Sequence, residues 1–185
     1  MLQKIISKKG MVITLIVISC LMVFTILMIL PDKMSYDVEE VNGNYTVSVN
    51  NRWGKRIYEN VYGVAPDIMQ VDKDTILIRT GRGDSRITKF INGKTNRVSD
   101  NFENISAYNG QLVVYGIYED EQLKIAIRDI YDKDKVYKEV IDTFPNVAVG
   151  SYIIKDAQII DEHSVDLTYY VGDEWEEKEK IIRLD

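Results

Sequence analysis

The chain of 185 residues carries 23 Lys and Arg against 29 Asp and Glu, a formal net charge of −6, with one Cys and one His. An acidic balance argues against a nucleic-acid partner, whose phosphates it would repel. A single Cys allows no intrachain disulfide, and a lone His cannot build a His-rich zinc site.

Residues 1–10 contain Lys4, Lys8 and Lys9 and no acid, and they are too few to fold. Residues 11–30 follow as an uncharged, mostly apolar run, the length that one helix needs to cross a hydrocarbon core of about 30 Å. Lysines on the amino side predict a cytoplasmic tail and an exported remainder. The run is longer than the core of a cleavable signal and ends without a small-x-small site, so it reads as an uncleaved signal-anchor in the plasma membrane. Val17-Ile18-Ser19-Cys20 resembles a bacterial lipoprotein signal. Apolar sequence continues past Cys20, however, where such a signal turns polar. Residues 31–35 form a short linker, and 36–185 read as one extracytoplasmic domain. All 29 acidic residues and 20 of the 23 basic ones follow the run, which gives the exported part a net charge of about −9.

Beyond the linker, apolar residues recur at period two, as in Tyr45-Thr46-Val47-Ser48-Val49, Ile76-Leu77-Ile78, Leu123-Lys124-Ile125-Ala126-Ile127 and Val165-Asp166-Leu167. This alternation predicts strands, and Asn42-Gly43, Asn92-Gly93, Asn109-Gly110 and Gly172-Asp173 supply residues that tolerate the positive φ of tight hairpins. Four segments superpose: Val38, Met69, Ile105 and Gln158 each stand seven residues before Tyr45, Ile76, Leu112 and Val165, with turn residues between. Gly150 to Asp156 reads as an insertion before the last unit. Glu174 to Leu184, rich in helix formers, is assigned to a terminal strand because Gly172-Asp173 offers a hairpin turn. The repeat resembles β-propeller blades, whose radial sheets are short antiparallel meanders. The resemblance implies propeller-like stacking. A β-sandwich or plain meander is the alternative within an all-β class, and a mixed α+β fold a further one.

Arg82-Gly83-Asp84, continued by Ser85, matches an adhesive tripeptide that integrins recognise, and it stands at an expected hairpin tip. The same residues also meet the geometric needs of the tip itself. Asp72-Lys73-Asp74, Glu119-Asp120-Glu121 and Asp132-Lys133-Asp134 place carboxylates two apart, yet none extends into a calcium loop, so solvated turns are expected and no metal or cofactor is assigned. His163, between Glu162 and Ser164, lacks the surroundings of a catalytic base. Asn44-Tyr45-Thr46 and Asn104-Ile105-Ser106 fit the glycosylation sequon, but abundant Ile, Lys, Asn and Tyr with three Pro suggests a bacterial chain. The resulting expectation is a non-enzymatic interaction or scaffold domain of a bacterial envelope assembly, held in the bilayer by residues 11–30 and bound to a protein partner. The alternatives are a lipid-anchored or shed ligand-binding protein and an envelope hydrolase built on carboxylates.

Overall fold

In the computed structural model, which describes residues 15–22, 33–81 and 86–184, the period-two alternation becomes antiparallel strand throughout. β1 (Ser35–Val41), β2 (Asn44–Asn50) and β3 (Arg56–Tyr62) form the first sheet. The second contains β4 (Asp67–Asp72), β5 (Thr75–Thr80), β6 (Ile87–Asn92) and β7 (Arg97–Val98) in that order, with β8 (Phe102–Glu103) also paired to β6. β9 (Ala107–Tyr108), β10 (Leu112–Glu119), β11 (Gln122–Asp129) and β12 (Val136–Val140) make the third. A short 3₁₀ helix, Gly150–Ile153, leads into the fourth: β13 (Ile154–Asp161), β14 (Ser164–Val171) and β15 (Glu176–Arg183). The fold is all-β.

The sequence repeat maps onto these sheets. Val38, Met69 and Gln158 lie in β1, β4 and β13, and Ile105 just ahead of β9; Tyr45, Ile76, Leu112 and Val165 fall in the strand that follows each. Turn chemistry sets the register. Asn42 and Gly43 take φ of 53° and 76°, and the hairpin they make pairs Val38 with Val47 and Tyr36 with Val49. Of the expected insertion from Gly150 to Asp156, only Gly150–Ile153 stands apart as the 3₁₀ helix; residues 154–156 already belong to β13. The terminal strand is β15, paired with β14 over its full length from Val171–Glu176 to Ser164–Arg183.

Each sheet packs face to face on the next. Val47 and Val49 of the first meet Ile76, Ile78 and Ile91 of the second, with Met34. Leu77, Phe90 and Phe102 of the second meet Val113, Tyr115 and Ala126 of the third. The largest cluster joins Leu112, Val114, Ile125 and Ile127 of the third to Val165, Leu167, Tyr169 and Ile182 of the fourth. Among the described residues no such cluster returns from the fourth sheet to the first, so no closed propeller forms, and the four sheets differ from the two of a sandwich. Register puts Asp37, Glu39 and Glu59 on the outward face of the first sheet and Asp166, Glu177 and Glu179 on that of the fourth. Arg56 pairs with Glu59 and Lys155 with Glu177, yet acids outnumber bases on both outward faces, which opposes their closure onto each other.

Two close approaches fix the stack. A Cβ on Gly116 of β10 would lie 2.0 Å from the Gly150 carbonyl oxygen, so only glycine lets the 3₁₀ segment sit on that strand. A Cβ on Gly93 would lie 2.7 Å from the Met34 side chain, which is buried there, and the Met34 amide donates to the Lys73 carbonyl at 3.3 Å. The chain is thus seated in the core from its second described residue after the apolar run.

Residues 15–22 are helical. Among the described residues no helix is long and apolar enough to cross a membrane. Residues 1–14 and 23–32, with the rest of the expected span, lie outside the described residues, as does the Arg82-Gly83-Asp84 motif.

Candidate functional site: two clefts at one end of the stack

All four sheets share two ends. The proximal end holds the turns at residues 51–55, 73–74, 93–96, 109–111, 130–135 and 162–163; the distal end holds the β10–β11 turn, the 3₁₀ helix and the β14–β15 turn.

One cleft of about 460 Å³ opens between the second and third sheets, with Asn101, Glu103, Tyr115, Gly116, Tyr118 and Gly150 on its walls. Beside it, between the first and second sheets, is a cleft of about 450 Å³ that includes Tyr58, Asn60, Tyr62, Thr80, Lys89 and Asn101. Asn101 borders both, so the clefts are neighbours.

An incompletely covered strand edge borders the first cleft. β9 is short and pairs with β10 only through Val113 and Val114. The Val114 carbonyl accepts from Ser106 N–H at 2.9 Å, which sets the parity: alternate residues Gly116 and Tyr118 also turn their backbone groups away from β11. Among the described residues, neither has a strand partner on that side. The Gly116 carbonyl is met by Gly150, on which a Cβ would lie 2.5 Å from it, and this leaves the N–H and C=O of Tyr118 for an added strand. The side chain of Tyr118 is fixed by donation from its hydroxyl to the Val147 carbonyl at 2.7 Å.

Charge lies behind this edge. Lys124 and Arg128, on β11, are 6% and 8% exposed. Lys124 Nζ lies 2.9 Å from Glu119 and 3.0 Å from Glu139, and Arg128 bridges the same two carboxylates. The Arg128 hydrogen bond, then that of Lys124, holds the Glu119 carboxyl below the usual range, and Glu119 and Glu139 push the Lys124 ammonium up. Two cations and two carboxylates balance, so the network is a strut rather than an exposed charge. Burial raises the Tyr115 phenol beside it.

In the second cleft the Tyr58 and Tyr62 hydroxyls bond each other. Burial, then the Tyr62 contact, raises the Tyr58 phenol. Lys89 donates to the Ser99 carbonyl at 3.1 Å, and burial lowers its ammonium against the opposing pull of Asp100. Tyrosines, amides and free backbone groups of this kind suit recognition by hydrogen bonding and stacking.

Sequence-derived candidates fall elsewhere. His163 sits in the proximal β13–β14 turn, its amide donating to Asp161 at 2.8 Å. The acidic triplets occupy separate turns: the Asp74 amide donates to Asp72 at 2.7 Å, the Asp132 carbonyl accepts from the Lys135 amide at 3.0 Å, and Glu119 is engaged by Lys124 and Arg128. No group of three or more His, Cys, Asp or Glu side chains suited to a metal occurs among the described residues. Cys20 is a free, exposed thiol. Neither cleft was legible in sequence, although Gly116 inside an otherwise apolar strand was a signal of close backbone approach. Searches against protein-family models, curated proteins and solved structures find no match to this chain.

Proposed function

We propose that the chain is an interaction module of a bacterial envelope assembly, anchored in the plasma membrane by residues 11–30 with its β domain outside the cell. Its four sheets act as the blades of an open, propeller-like stack, and its partner is a protein that supplies an extended segment. The observation that carries this reading is the unpaired edge of β10 at Tyr118, beside the cleft between the second and third sheets. Added strands gain main-chain hydrogen bonds at such an edge and take their specificity from side-chain pockets alongside it. Tyr115, Tyr118 and Asn101 supply those pockets.

Binding is preferred to catalysis for a physical reason. The cleft walls offer amides, phenols and one carboxylate, Glu103, but no base held by an orienting partner. The test is crosslinking in cells from a photoreactive residue at Asn101. A single partner should be captured by the parent and by Tyr118→Phe, which keeps the backbone N–H. It should be lost in Tyr118→Pro, which removes that N–H at an edge position where proline is otherwise tolerated. Equal capture by the proline variant, with its fold intact by circular dichroism, would refute strand addition.

A further inference from the structure

We infer that the proximal end of the first and second sheets is a docking surface for anionic phospholipid headgroups, so that the domain stands on the bilayer with its clefts directed away. This inference rests on the reading of residues 11–30 as a bilayer segment. Its own basis is a juxtaposition of charge, an exposed tryptophan and the point where the chain enters the fold.

The exported part is acidic as a whole, but its cations are not spread evenly. Lys33, Arg52 and Lys73 border one open hollow of about 730 Å³, together with Gln70 and Asp72. The turn bearing Lys94 joins them, because Asn51 donates to Asn96 at 2.9 Å and Gly93 N–H donates to the Asp74 carbonyl at 2.8 Å. Lys55 flanks the group from the same turn as Arg52, and Asp72 and Asp74 are carboxylates set among these five cations, while Arg97 is turned to the Tyr131 carbonyl.

Trp53 stands on the same end. It is 56% exposed, with the Arg52 guanidinium 5.0 Å from its ring centre. An indole rimmed by cations is the side-chain combination favoured at the headgroup level. The other tryptophan, Trp175, lies in the distal β14–β15 turn.

The occupant follows from where the chain comes from. Lys33 is two residues beyond Pro31, the first residue after the apolar run. Two or three residues reach at most about 10 Å, and Met34 is already locked against Gly93, so this end cannot swing far from the lipid. At that distance phosphodiester headgroups are the nearest anions. The distal turns of the third and fourth sheets carry Asp120, Glu121, Asp173 and Glu174, and their proximal turns carry Asp132, Asp134 and Glu162, carboxylates that lipid phosphates repel, so the docking surface is confined to the first and second sheets.

The test uses the full chain in nanodiscs with brominated acyl chains, made of phosphatidylglycerol with phosphatidylcholine or of phosphatidylcholine alone. In a Trp175→Phe background, Trp53 emission should be quenched, more strongly with phosphatidylglycerol. In the reciprocal Trp53→Phe chain, Trp175 should stay bright. Combining Lys33→Gln, Arg52→Gln and Lys73→Gln should shift the docked population by about a hundredfold and restore Trp53 emission. Quenching of Trp175 instead, or equal Trp53 emission in both lipids and in the neutralised variant, would overturn the docking surface while leaving the anchor in place. Relief by inorganic phosphate beyond an equal ionic strength of chloride would assign the cations to free phosphate and also overturn it. Failure of the chain to co-purify with the discs would refute the anchor, and this inference with it.

Discussion

The interface between the third and fourth sheets and that between the second and third are built from the same strands, β10 and β11, yet they differ in kind. Toward the fourth sheet, β11 sends Leu123, Ile125 and Ile127 into an aliphatic layer; toward the second it sends Lys124, Ala126 and Arg128. The first is a dry contact that holds the stack. In the second, aromatic packing of Phe90, Phe102 and Tyr115, with Phe102 and Tyr115 ring centres 5.4 Å apart, gives way distally to an ion network and a cleft. A single pleated strand thereby faces an apolar core on one side and borders a polar cleft on the other.

Removing apolar volume tests the dry side. Ile125 is fully buried, and Ile125→Ala should cost about 3–4 kcal/mol in chemical denaturation, with the cleft residues unaffected until the whole domain unfolds. A loss below about 1 kcal/mol would mean that the third and fourth sheets do not share a close-packed core. Gly116→Ala probes the contact from above. Because the new Cβ meets backbone rather than a movable side chain, the expected cost is about 2–3 kcal/mol, and Gly150→Ala should reproduce it.

The polar side should respond to pH as well as to mutation. Arg128→Met leaves Glu119 and Glu139 with Lys124 alone and is expected to lower stability by about 2 kcal/mol near neutrality, less than a fully buried pair because both carboxylates retain solvent. Glu119 has a depressed folded pKa, caused first by Arg128. Its contribution is therefore complete above the unfolded carboxylate value and is lost as pH falls through the folded one. Thermal melts of the parent should show that acid loss, and melts of Arg128→Met should show a flatter acid limb. An identical limb in both would remove the network from the account. Smallest of all, Tyr118→Phe deletes one hydroxyl bond to Val147 and should cost about 1 kcal/mol.

Much of this architecture was readable from residue order alone. Hairpins announce themselves locally, since Asn42-Gly43 and Gly172 need backbone conformations that few other residues accept, and alternation then assigns the buried face of each strand. The four superposed segments fall on the first two strands of the four sheets because each unit solves the same local problem. Closure was not readable. Whether the fourth sheet meets the first depends on strand twist and on facing charges such as Glu59 and Glu179, which are remote in sequence. The clefts were hidden for the same reason: Asn101, Tyr118 and Gly150 belong to separate units. Residue order likewise does not show that turns far apart in the chain gather Lys33, Arg52, Lys73 and Lys94 at one end.

Among the described residues the core clusters join each sheet only to its neighbours, the pattern of a short one-dimensional array in which the terminal members are held on one flank and the inner members on two. Hydrogen exchange should then be fastest in β1 and β15 and slowest in β5 and β10. The cleft walls come from the middle of the row, so they should keep their shape even while the outermost sheets fray.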